Sequence, residues 1–165
     1  MELEFSINRK DYSNFNKYYY FKKSIRKRLI VVLIAAIAMP FITMYGEPFE
    51  LLVYLKLFLF VFLFFGSIYF GLGYIRIMTS GNIPKSGLSI LGDKKLITNE
   101  EGISVESELY NANIKWNGIL SVEENSNYLY LFVDSVSAII IPKRYFRDLQ
   151  HYNEFLTEIQ TNIKV

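Results

Sequence analysis

The sequence contains no cysteine and only one histidine, His151. The first absence excludes a disulfide framework, cysteine-based zinc sites and thiol chemistry. The second removes most metal-site and catalytic-triad arrangements. Charge is also scarce: charged residues make up 21% of the 165 positions, against roughly 25% in soluble domains. A net charge of +2 is too small to imply nucleic acid as a partner. There is no Walker motif, no Gly-x-Ser-x-Gly and no His-Glu-x-x-His, and Gly71-Leu72-Gly73 lies inside an apolar run, where it cannot cradle phosphate. Apolar and aromatic residues dominate instead, at 52% and 17%, with 14 Phe and 13 Tyr. Their concentration in residues 29–77 argues against an ordinary soluble globule.

Two stretches, Leu29 to Gly46 and Leu57 to Ile75, carry no charge. At 1.5 Å per residue each gives about 27–28 Å of helix, close to a hydrocarbon core of about 30 Å. A signal peptide does not fit the first run, because mostly polar residues precede it and no small-residue cleavage site stands before Glu47. Lys17, Lys22, Lys23, Arg26, Lys27 and Arg28 lead into the first run, and Arg76 and Lys85 follow the second. The connection between them holds Glu47, Glu50 and one lysine, Lys56, which can snorkel to the interface. The positive-inside rule then predicts a hairpin with its tip outside and both termini cytoplasmic. Tyr18, Tyr19, Tyr20 and Phe21 fall at the inner headgroups. Pro40 is expected to kink the first helix. Ser67 and Gly71 form a small-xxx-small pair that Ala35 and Ala38 could face within the hairpin, or that could serve as a homodimer face.

Outside the apolar runs, Glu2 to Ile7 alternates, with Leu3, Phe5 and Ile7 on one side, which is a strand pattern. A lone strand is unstable, so it must join the sheet at the C-terminal end of the chain. Asp11 to Arg28 reads as a helix capped by Asp11 or Ser13 and continuing into the first span. The stretch Asn82–Gly92 reads as a connector. Strands are predicted at 93–98, 103–109, 114–116, 119–123, 128–133 and 137–141, with Gly102 supplying a positive φ in the first turn. These form an antiparallel meander. Residues 144–163 are predicted to be a helix with Leu149, Tyr152, Phe155, Leu156, Ile159 and Ile163 on its apolar stripe.

The order of these features resembles the YcxB-like family of small bacterial membrane proteins. The residues that carry the resemblance are Asp11-Tyr12, Leu91-Gly92-Asp93, Asn99-Glu100-Glu101-Gly102-Ile103, Ile114-Lys115-Trp116, Tyr128-Leu129-Tyr130-Leu131 and Ile141-Pro142-Lys143-Arg144 with Phe146. The resemblance extends over nearly the whole chain, and it implies a cytoplasmic domain similar to pleckstrin-homology-like barrels, with no catalytic residues. Some small proteins of this layout look like immunity factors against bacteriocins or secreted toxins. The abundance of Ile, Lys and Asn is consistent with an AT-rich bacterium.

Candidate chemistry is thin. His151 lies between the apolar stripe and the polar face of the last helix, and reads as a surface or cap residue. Glu100-Glu101 and Glu123-Glu124 flank turns and read as solvated. Trp116 reads either as a core aromatic or as a partner-binding anchor. Lys143, Arg144 and Arg147 read as solvated charges at a helix start, or as a basic patch for lipid or an acidic partner, since cations gain nothing from a helix N-terminus. No catalytic, cofactor or metal residue is assigned.

The expected class is an α+β membrane protein: a two-helix transmembrane hairpin with a cytoplasmic antiparallel β domain, pleckstrin-homology-like and capped by a C-terminal helix. Its parts are residues 1–28, a strand and basic juxtamembrane helix; 29–77, the hairpin, with spans at about 29–46 and 51–77; and 82–165, the β domain with helix 144–163. The expected location is the bacterial plasma membrane, multi-pass. The expected partners are the lipid bilayer and a protein in or at the membrane, with a homodimer open and nucleic acid excluded. The expected function is that of a non-enzymatic interaction protein, an immunity or regulatory factor. The alternative is a module that senses a small molecule or a lipid headgroup.

Overall fold

A computed structural model describes residues 1–80 and 90–163. The connector expected from residue 82, with Pro84, Lys85 and Gly87, lies outside the described residues up to position 89. The chain divides into two compact units, one of Met1–Phe15 with Gly81–Val165 and one of Asn16–Ser80.

The N-terminal strand, β1 (Glu2–Ile7), buries Leu3, Phe5 and Ile7, as its alternation requires. Helix α1 (Arg9–Tyr18) follows. Its cap is Asn8, one turn earlier than expected. The Asn8 side chain accepts hydrogen bonds from the Lys10 and Asp11 amides, at 2.8 and 3.0 Å, while Asp11 accepts from the Asn8 amide at 2.9 Å. That reciprocal exchange satisfies the first free amides of the helix. Asp11 and Ser13 are therefore inside the helix and do not cap it. The boundary between the two units falls within α1.

In the second unit a π-helical turn, Tyr19–Ser24, leads into α2 (Ile25–Thr43), and α3 (Leu51–Ser80) returns antiparallel to it. The direction follows from the pairs that meet. The Tyr54 hydroxyl donates to the Ile37 carbonyl at 3.2 Å, and the Tyr20 hydroxyl to the Phe70 carbonyl at 3.2 Å. Gly46, with φ of +89°, occupies the turn after α2. The seam differs from the one expected. Val32, Ala36 and Pro40 recur every four residues along the buried stripe of α2. Ala35 and Ala38 fall off that stripe and are exposed. On α3 the close approaches are at Gly66, whose Cβ position is 3.4 Å from Val32, and at Gly73, whose Cβ would overlap the Tyr20 ring. Ser67 is exposed, and nothing lies within 4 Å of a Cβ at Gly71. Ser67 and Gly71 therefore do not face α2.

Among the described residues, α3 is the one helix long and apolar enough to cross a membrane, over Leu51–Thr79. The uncharged part of α2 is shorter, because the first turn of the helix holds Arg26, Lys27 and Arg28 and the helix ends at Thr43.

The first unit is α+β. A four-stranded antiparallel sheet has the order β1-β2-β3-β4, with β2 at Gly92–Thr98, β3 at Gly102–Glu106 and β4 at Asn111–Lys115. A three-stranded sheet has the order β5-β6-β7, with β5 at Ser121–Glu124, β6 at Tyr128–Phe132 and β7 at Ala138–Pro142. Strand β1 pairs with β2 in the register Leu3↔Leu96 and Phe5↔Lys94, so the helical hairpin is inserted in the sequence between two neighbouring strands. Phe15 extends the core from α1, with its ring 5.6 Å from Tyr130 and 6.1 Å from Phe132.

Gly102 does not have a positive φ; among the described residues only Gly46 and Gly92 do. Its turn is built instead by Asn99, whose side chain accepts from the Glu101 and Gly102 amides, both at 2.9 Å. Glycine is needed at 102 because a Cβ there would run into the Ile114 carbonyl of β4. The last helix, α4 (Leu149–Asn162), starts later than expected. A 3-10 turn at Lys143–Tyr145 follows Pro142, Phe146 is extended, and Asp148 caps the helix by accepting from the His151 amide at 2.7 Å. Leu149 is thereby left 73% exposed at the helix start, off the buried stripe of Tyr152, Phe155, Ile159 and Ile163.

Candidate functional site

Two features of the β domain stand out: an ion pair on a buried carboxylate that fixes the N-terminal segment, and a cavity holding a buried lysine. Asp11 is only 1% exposed. Arg144 grips it in a fork, Nη1 to Oδ1 at 2.7 Å and Nη2 to Oδ2 at 2.8 Å. The Tyr128 hydroxyl donates to Oδ1 at 2.8 Å and accepts from Asn14 at 2.9 Å. Burial works against ionisation of Asp11, but the hydrogen bonds from Arg144, the Asn8 amide and Tyr128, with the Arg144 charge, outweigh it and hold the carboxyl below its ordinary 3.8. Three segments thus meet at one carboxylate, the start of α1, β6 and the turn after β7, and Arg144 also donates to the Ser6 carbonyl of β1 at 3.4 Å.

The other expected site residues are placed as follows. Lys143 pairs with Glu124 at 2.6 Å, and its ammonium stands 4.5 Å from the centroid of the Tyr152 ring. The Tyr152 hydroxyl also bonds Glu124, so this group ties β5 to α4. Arg147 is exposed, and its amide donates to His151 Nδ1 at 3.4 Å. His151 itself is buried against Phe146, with ring centroids 5.5 Å apart. Trp116 is buried and donates from Nε1 to the Asn99 carbonyl at 3.1 Å, bracing the β2–β3 turn. Trp116→Phe removes that donor and is expected to lower domain stability by about 1 kcal/mol, measured by amide hydrogen exchange in β2 and β3. Glu100 and Glu101 are exposed in the turn. Among the described residues no group of three or more His, Cys, Asp or Glu side chains is placed to hold a metal ion.

The cavity was not foreseen. It has a volume of about 240 Å³ and lies between the inner face of the four-stranded sheet and β7. Apolar side chains of Phe5, Ile7, Val105, Ile114, Ile139 and Ile140 form much of its wall, with Lys94, Tyr110 and Ser137 as polar members. Lys94 is 7% exposed, and its ammonium lies 4.8 Å from the Tyr110 ring centroid. Burial pushes the amine below its ordinary value. The signal for Lys94 was present in the alternation of β2: once Leu96 is assigned inward, Lys94 must share its face. For the meeting of Asp11 with Arg144 there was no local signal, only the presence of both in the family-like pattern.

These observations define the class: an α+β chain in which an antiparallel domain, with seven strands and a following helix among the described residues, carries an inserted helical hairpin. Within it, residues 99–159 match the family model described as YcxB-like protein. The resemblance read from the sequence thus holds over the segment from the β2–β3 turn to α4, which includes Trp116, Lys143, Arg144 and Arg147. No curated protein and no solved structure matches the chain.

Proposed function

We propose that this is a non-enzymatic, membrane-anchored interaction protein, in which α2 and α3 cross the bacterial plasma membrane as a hairpin and both termini are cytoplasmic. The observation that carries the reading is the apolar surface of the two helices. Leu29, Ile30, Val31, Ile34 and Ile37 on α2 are exposed, as are Leu59, Phe60, Leu63, Phe64 and Leu72 on α3. Such a surface is costly in water and favourable in hydrocarbon. The basic run from Lys22 to Arg28 ahead of α2 favours the inward orientation. The four-plus-three strand order with a terminal helix supports a pleckstrin-homology-like domain.

In this reading the protein acts by binding, as an immunity or regulatory factor for a membrane-active toxin or another membrane protein. Tethering raises its effective concentration toward partners at the inner leaflet. In a strain that the protein protects, the effect is expected to scale with its abundance relative to the partner. A soluble form joining residues 1–15 to 81–165 is expected to be weaker at equal abundance. Protection that saturates at trace expression, or a soluble form of equal strength, counts against the reading. The second reading, a small-molecule-sensing module, is favoured by the cavity at Lys94.

A further inference from the structure

We propose that the end of the helical hairpin where α2 begins holds the headgroup phosphate of an anionic phospholipid, with Arg28 as its fork of donors and Lys27 as a second cation. The proposal rests on the reading of α2 and α3 as a membrane hairpin and names a lipid for its inner end.

Arg28 is held in place by groups that leave its outer donors unused. Its side chain runs back along the helix, as the tilt of helical side chains toward the N-terminus favours, and Nε donates to the Ser24 hydroxyl at 2.9 Å. The guanidinium carbon stands 4.2 Å from the centroid of the Tyr20 ring and 5.7 Å from that of Tyr69 on α3. Tyr20 is itself fixed: it is buried, its hydroxyl donates to the Phe70 carbonyl, and Gly73 leaves the space that its ring fills. The Nη groups of Arg28 have no acceptor among the described residues. Arg144 closes the same fork on Asp11; that of Arg28 stays open. A guanidinium fixed by rings and a hydroxyl, with its fork free, suits a phosphate that accepts two parallel hydrogen bonds.

Charge and position select the occupant. Residues 16–46 and 51–80 contain no Asp or Glu, so no carboxylate of this unit offsets the cations at the start of α2. Lys27, next to Arg28, is exposed, as is Arg26. Phe21 packs edge-on against Tyr20, with ring centroids 5.0 Å apart, and lies 6.4 Å from Tyr74 of α3. A belt of such rings marks the headgroup level of a bilayer, where a lipid phosphate is within reach of Arg28. A zwitterionic headgroup brings a cation of its own, which Lys27 repels, so a lipid of net negative charge is favoured.

The test uses the full chain in detergent micelles with palmitoyl-oleoyl phosphatidylglycerol and phosphatidylcholine added in equal amounts, bound lipid being counted by native mass spectrometry. The unaltered protein is expected to retain phosphatidylglycerol about fivefold over phosphatidylcholine, and Arg28→Gln to bring the ratio close to one. Lys56→Gln, in α3 near the opposite end of the hairpin, is expected to leave the ratio unchanged. Four results would overturn the proposal: a ratio near one in the unaltered protein, an unchanged ratio in Arg28→Gln, an equal loss in Lys56→Gln, or displacement of the lipid by equimolar glycerol 3-phosphate, which would put a free phosphate at Arg28. The comparison of the two lipids needs no variant, so it stands even if Arg28→Gln fails to fold. Alkaline carbonate extraction from phosphatidylcholine vesicles tests the hairpin itself. A chain that washes out removes the hairpin and the lipid site together, whereas one that stays in the bilayer and shows a ratio near one removes the lipid site alone.

Discussion

Leu3→Asp is expected to destabilise the β domain by about 4 kcal/mol, which is most of the reserve of a domain at the low end of the usual range of about 5–15 kcal/mol. Leu3 is buried and lies opposite the fully buried Leu96. A carboxylate there loses the apolar contact and has Leu96 rather than a cation across the strand pair. The single tryptophan, Trp116, belongs to this domain and not to the helical hairpin, so its fluorescence during chemical denaturation follows domain unfolding alone. Phe5→Asp, the more obvious disruption of the same strand, is expected to cost less than Leu3→Asp, because Lys94 faces it. A wild-type denaturation curve for Leu3→Asp would remove β1 from the core.

Arg144→Met is expected to cost about 3 kcal/mol, since it leaves the Asp11 carboxylate buried with its charged partner gone. The figure is set at the low end for a broken buried pair because the Arg144 side chain is 46% exposed while Asp11 is 1%. Adding Asp11→Asn to Arg144→Met should recover part of the loss, by removing the stranded charge. The pair also predicts an acid dependence. The folded-state pKa of Asp11 lies below its ordinary 3.8. Its ionised form therefore stabilises the fold above that value, and the contribution is lost as pH falls through the folded pKa. Denaturation midpoints of the unaltered protein should fall more steeply in this acid range than those of Asp11→Asn. Equal slopes would mean that Asp11 contributes no pH-dependent stability.

The parts of the fold that local pattern determines were legible. The alternation of Leu3, Phe5 and Ile7 placed β1 in a sheet, and turn residues separated the strands close to where they lie. Misplaced features were decided by contacts outside the local pattern. Gly102 reads as a positive-φ turn residue, yet it is needed because β4 passes its α-carbon too closely for a side chain. The start of α4 shifts to Leu149 because Pro142 and the 3-10 turn after it hold the chain off the helical path, and Asp148 then offers a cap. The seam of the hairpin lies one step around α2 from the face that holds Ala35 and Ala38, on the stripe of Val32 and Ala36. The Asp11–Arg144 fork joins residues at opposite ends of the chain, and periodicity carries no information about that pairing.

The insertion of the helical hairpin between β1 and β2 has a consequence for biogenesis. Strand β1 is synthesised first, but β2, its ladder partner among the described residues, follows after both long helices have been made. Until then Leu3, Phe5 and Ile7 have no sheet to enter, and the fork on Asp11 must wait still longer, for Arg144. Closing a long flexible loop carries an entropic cost. Docking α2 on α3 shortens the effective loop between the two strands. Assembly of the sheet is therefore coupled to completion of the helical pair, and a defect confined to α2 or α3 should surface as slow or failed maturation of a β domain whose own residues are unchanged.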